Sequence, residues 1–67
     1  MNVYINNKLQ DVPGQTNISG MLEALNITSQ KGIAIAINNN VVPGAEWGTY
    51  ELKDDDKVTL IRATQGG

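Results

Sequence analysis

The sequence predicts an α+β domain in which one amphipathic helix packs against a mixed sheet of four or five strands, with a free tail after the last strand. Three observations carry that expectation. Only one segment has the helical period: Ile18, Met21, Leu22 and Leu25 fall at i, i+3, i+4 and i+7, on a single face. Segments of period two lie on both sides of it, at Met1 to Ile5, Ile33 to Ile37 and Val58 to Ala63. The closing residues Thr64-Gln65-Gly66-Gly67 carry neither period.

Taken in order, Met1 to Ile5 reads as a strand with Val3 and Ile5 on one face and Tyr4 on the other. Asn6-Asn7 is a tight turn, because Asn tolerates the left-handed backbone such turns need. Lys8 to Val12 returns; Leu9 and Val12 cannot share a face under strict alternation, which predicts a bulge or a loosened end. Pro13-Gly14 stops the strand, and Asn17 or Thr16 caps the helix that follows. Gly20 weakens that helix by about 1 kcal/mol relative to Ala, so packing must hold it. Asn26 ends it in the left-handed conformation, with Ile27 folding back as an apolar contact.

Thr28 to Gly32 is a polar connection. In Ile33-Ala34-Ile35-Ala36-Ile37 large residues alternate with small, which suits a central strand with one face in the core. Asn38-Asn39-Asn40 is a turn, Val41-Val42 a short strand and Pro43-Gly44 a stop. Ala45 to Thr49 reads as one helical turn or a loop, with Trp47 over a core edge. Leu52 is apolar before the turn at Lys53 to Lys57; Val58 and Leu60 then share one face of the last strand, Thr59 and Ile61 the other. Residues 1–63 thus form the domain and residues 64–67 a flexible tail.

Composition removes most enzyme classes. In 67 residues there is no cysteine and no histidine, hence no disulfide, thiolate nucleophile, Cys-based zinc site or Ser-His-Asp triad. A chain this short buries only about 60% of its unfolded surface, leaving little room for a substrate cavity beside the core. Five basic residues, Lys8, Lys31, Lys53, Lys57 and Arg62, are scattered against seven acidic ones, which argues against nucleic acid. The longest apolar run, Ile33 to Ile37, is too short to span a bilayer, and the N-terminus lacks signal-peptide character. The expectation is a soluble cytoplasmic protein that is not an enzyme and binds neither metal nor cofactor.

Chemistry is expected at the tail. Gly66 and Gly67 have no side chains to shield the last carbonyl, so the segment is narrow enough to thread a partner's tunnel. A carboxylate there is inert until activated, and mixed-anhydride formation with AMP is the usual route. A frayed terminus is the ordinary alternative. Ile61, facing outward beside Ala34 and Ala36, predicts a flat apolar docking patch on the sheet face opposite the helix, extended by Arg62 and Ala63. Arg62 either meets a partner's acidic group or keeps the strand soluble. Asp54-Asp55-Asp56 lacks the alternating ligands of a calcium loop and reads as a solvated turn; Glu23 and Glu51 read as solvated surface carboxylates.

Several stretches together resemble the thiamine-biosynthesis sulfur carriers: Gly14-Gln15-Thr16 before Met21-Leu22-Glu23-Ala24-Leu25, Ile37-Asn38-Asn39-Asn40-Val41-Val42-Pro43 with Glu46-Trp47, and Val58 through Gly67. The resemblance implies a ubiquitin-like β-grasp fold and a reaction cycle. An E1-like adenylyltransferase uses ATP to adenylate the terminal glycine, which corresponds to Gly67. A donor such as a cysteine desulfurase supplies sulfur, and the resulting thiocarboxylate passes it to thiazole synthase. Thr64, Gln65 and Gly66 form the partner-binding tail. Asn39 and Asp55 stand where Gly is frequent, Gly44 where a basic residue is common, and the helix starts one residue late relative to Gly14-Gln15-Thr16. The rivals are the small subunit of molybdopterin synthase, a ubiquitin-like modifier joined to lysines, and an interaction module with an inert terminus. The Val42-Pro43 and Glu46-Trp47 region favours the thiamine branch.

Overall fold

A computed structural model describes residues 1–27 and 31–62. Its elements are β1 (Asn2–Ile5), β2 (Lys8–Asp11), α1 (Ile18–Ala24), β3 (Ile33–Ile37), β4 (Asn40–Val42), a 3-10 turn (Gly44–Glu46) and β5 (Lys57–Arg62). They form a five-stranded sheet in the order β2-β1-β5-β3-β4. The β1–β5 pair is parallel and the other pairs are antiparallel, so the sheet is mixed as expected. The last strand is therefore the middle one.

Two hairpins built on the same device flank that strand. Asn6 and Asn7 have φ of 51° and 71°, and Asn38 and Asn39 have 50° and 72°. Two consecutive left-handed residues match the twist of the strands they join, which is why Asn-Asn serves here. Alternation then decides burial. Val3, Ile35, Ile37, Val42 and Val58 turn inward and are buried.

Helix α1 covers that face. It has seven residues, too few to persist alone, so packing of Ile18, Met21 and Leu22, each fully buried, must hold it. Its start is fully capped: the Asn17 side chain accepts from the Gly20 N–H at 2.7 Å, while Ile18 N–H and Ser19 N–H donate to the Tyr50 and Trp47 carbonyls. Its end follows the pattern expected from Asn26, which has φ 61°; Ile27 N–H donates to the Leu22 carbonyl and Asn26 N–H to that of Glu23. Ile27 packs against the core from there. Gly20 has a positive reason as well as a propensity cost, since a Cβ there would collide with the Thr16 hydroxyl. Trp47 closes the core edge, donating its Nε1–H to the Val42 carbonyl at 2.8 Å.

Two expectations need correction. The β1–β2 register runs without a bulge from Ile5↔Lys8 to Asn2↔Asp11, and Val12 N–H continues the ladder to the Met1 carbonyl at 2.9 Å. Val12 is in phase with Gln10 on the inner face, and Leu9 lies on the outer one; nothing is loosened. The aspartate turn is also more than solvated surface. Asp56 is buried, its carboxylate accepting from Lys53 N–H at 2.8 Å and Asn38 Nδ2 at 3.0 Å, and Asp54 accepts from Asn2 N–H at 2.9 Å. These carboxylates hold the turn to both hairpins. Among the described residues no cluster of three potential metal-ligating side chains occurs, and no helix is long and apolar enough to cross a membrane.

Candidate functional site

The helix occupies one face of the sheet, and the other has no covering element among the described residues. Register places side chains on that face row by row. Ile61 on β5 stands opposite Ala34, and Thr59 opposite Ala36, which in turn faces Val41. Tyr4 lies beside Lys57 on one side and opposite Leu9 on the other. The four large apolar side chains that are exposed, Tyr4 (37%), Leu9 (56%), Val41 (76%) and Ile61 (58%), all belong to this face. Lys57 and Thr59 run between the Tyr4–Leu9 pair and the group formed by Ile61, Val41 and the two alanines.

The structure thus brings Ile61, Ala34 and Ala36 together. Arg62 pairs with Ile33 and by alternation falls on the helix side with Leu60, exposed at the strand end. Tyr4, Leu9 and Val41 were not among the sequence-predicted docking residues. Their signals were present: Tyr4 alternates with two inward residues, and one of Val41 and Val42 had to point out. Leu9 was hidden by the expectation of a bulge. Ala63, Thr64, Gln65, Gly66 and Gly67 lie outside the described residues, as does the domain–tail boundary.

Two side chains grip β5 from its neighbours. Asn6 donates Nδ2–H to the Leu60 carbonyl at 3.1 Å and accepts Leu60 N–H on Oδ1 at 2.9 Å. On the other side Asn38 Oδ1 accepts Lys57 N–H at 3.0 Å, and Asn38 N–H donates to the Lys57 carbonyl at 2.8 Å. The middle strand is thus held on both edges by side chains as well as by its ladders, and it precedes the residues that end at Gly67. The first-turn N–H groups of α1 are taken internally, so the helix start offers no anion site.

A sheet wrapped on one helix, with the last strand at its centre and an uncovered outer face, defines a β-grasp domain. Residues 3–67 match the ThiS family. The chain belongs to that family. It is 34% identical, across the full length of both chains, to the sulfur carrier protein ThiS of Escherichia coli strain K12. The crystal structure of a thiamine biosynthesis protein (ThiS) from Geobacter metallireducens superposes with a TM-score of 0.83 at 26% identity, with all of both chains covered. The NMR solution structure of a thiamine biosynthesis protein from that organism gives 0.80 at 26% identity, covering 100% of this chain and 88% of the other.

Proposed function

We propose that this chain is a sulfur carrier of thiamine biosynthesis whose working group is the Gly67 carboxylate. The observation that carries the reading is the family match, which runs through Gly66 and Gly67. In the cycle we infer, an E1-like adenylyltransferase lets a Gly67 carboxylate oxygen attack the α-phosphorus of ATP, and pyrophosphate leaves. The acyl adenylate has a good leaving group where the carboxylate had none. The terminal sulfur of a persulfide from a donor such as a cysteine desulfurase then displaces AMP at the carbonyl carbon, and a thiol cleaves the resulting S–S bond to release the thiocarboxylate for thiazole synthase.

The chain's own share is to bind and to present. The outer face is the docking surface in this reading, with Ile61 on the last strand, Ala34 beside it, and Tyr4, Leu9 and Val41 widening the contact. Apolar side chains gathered on one face of a small domain favour burial against a partner. Catalysis belongs to the partners, in keeping with a chain that has neither Cys nor His.

Co-expression with an E1-like adenylyltransferase and a sulfur donor, followed by intact mass, tests this. The expected product carries one sulfur in place of one terminal oxygen. A chain that emerges unmodified under conditions where the E. coli carrier is converted contradicts the reading.

A further inference from the structure

The parallel β1–β5 ladder stops too early for the strand it must hold. Tyr4 N–H donates to the Asp56 carbonyl and Asn6 N–H to the Val58 carbonyl, each at 2.9 Å. The next rungs would take the Leu60 N–H to the Asn6 carbonyl and the Leu60 carbonyl to an N–H two residues further on. The chain has already turned away there, because Asn6 and Asn7 are left-handed. In a strand the N–H and C=O of one residue point to the same edge. Both Leu60 groups therefore face β1 and find no backbone partner. The Asn6 carboxamide takes both, as donor to one and acceptor from the other. A side-chain amide is here a copy of the missing peptide group.

We propose that Asn6 is a positioning residue for the reaction at Gly67, setting the direction in which the last strand leaves the sheet; this rests on the carrier reading above. Leu60 is two residues before Arg62, the end of β5, and Arg62 is five before Gly67. Among the described residues, the Asn6 carboxamide is the last hydrogen-bonding hold on the β1 edge of this strand. The opposite edge stays paired to β3 as far as Ile33↔Arg62. Freeing one edge while the other stays paired lets the strand end twist, and that end is where the chain toward Gly67 begins. Both Asn6 bonds are exposed, so water replaces them readily and global stability changes little. Alignment of the carboxylate with ATP suffers more, because an error of about 1 Å in a reacting geometry can cost about a hundredfold.

The residue type is specific. Asp keeps the acceptor and tolerates the turn but cannot donate to the Leu60 carbonyl. Gly keeps the backbone at φ 51° and deletes both bonds. Asn7, at φ 71°, makes no side-chain hydrogen bond among the described residues, so Asn7→Gly alters the same turn without touching Leu60.

The experiment compares wild type, Asn6→Gly, Asn6→Asp and Asn7→Gly in ATP–pyrophosphate exchange with the activating enzyme, beside amide hydrogen exchange at Leu60. In Asn6→Gly the Leu60 amide should exchange about fivefold faster, the loss of one ordinary hydrogen bond. The kcat should fall at least about tenfold while KM for the carrier and Tm stay near wild type, since alignment and not docking is lost. Asn6→Asp should fall between, and Asn7→Gly should match wild type. If Asn6→Gly proves poorly folded, Asn6→Asp decides by kcat against KM alone, because its carboxylate still accepts from the Leu60 N–H while the bond to the Leu60 carbonyl is lost. Equal kcat in Asn6→Gly and Asn7→Gly, or an unchanged Leu60 amide, overturns the proposal. A wild-type chain that is not activated at all overturns the carrier reading instead, and the Leu60 amide then still decides whether Asn6 holds the strand.

Discussion

Single residues show how the family pattern and the backbone agree. Asn39 and Asp55 stand where Gly is frequent in the sulfur carriers, and both have left-handed φ, 72° and 69°. Asn and Asp are the non-glycine residues that tolerate this conformation best. Neighbouring aspartates in the last turn consequently have opposite roles. Asp56→Ala removes the acceptor of Lys53 N–H and Asn38 Nδ2 in a buried setting and should cost about 1–3 kcal/mol in urea unfolding. Asp55→Gly should leave the midpoint unchanged or raise it; the reverse order would mean that the Asp56 carboxylate does not hold the turn. On the outer face, Ile61→Asp should preserve the circular dichroism spectrum, since its side chain is 58% exposed, while weakening binding to the activating enzyme. Unchanged affinity with an intact fold would make Ile61 an incidental surface residue.

At the scale of elements, legibility in the sequence followed the strength of local rules. The helix was readable to within a residue because its stripe, its Asn17 cap and its Asn26 stop are all local. Both Asn-Asn turns were readable for the same reason. What was missed depended on partners distant in sequence. Leu9 and Val12 cannot be assigned to faces without the pairing to β1, and Asp56 reads as solvated until Asn38 and Lys53 are brought to it. The patch around Ile61 was legible through alternation on β3 and β5, but its extension to Tyr4, Leu9 and Val41 needed the sheet order. Helix α1 also carries the clearest stability prediction. Leu22 is fully buried, and Leu→Ala in a core costs about 2–5 kcal/mol, against a total of about 3–5 kcal/mol for a core this small. Leu22→Ala should be largely unfolded at room temperature by circular dichroism. A cooperative melt near wild type would show that packing beneath α1 is not what holds the sheet together.

For the molecule as a whole, the architecture separates folding from function. The core lies between α1 and the inner face, the exposed large apolar side chains lie on the outer face, and the residue proposed to react belongs to neither. Substitutions on the outer face or in the tail should therefore change partner reactions without changing the fold. The tail allows the sharpest separation. Deleting Gly67 withdraws the terminal carboxylate by one residue, about 3.3–3.6 Å in an extended chain, well beyond the tolerance of a reacting geometry. The direct test is ATP–pyrophosphate exchange with the activating enzyme, run on the full-length chain and on the chain lacking Gly67. Melting curves and binding titrations on the same samples establish that both are folded and docked. The account predicts exchange with the full-length chain and none with the truncated one, at nearly equal Tm and affinity. Equal exchange by the two chains would contradict it, because the Gly67 carboxylate would then not be the group that is activated.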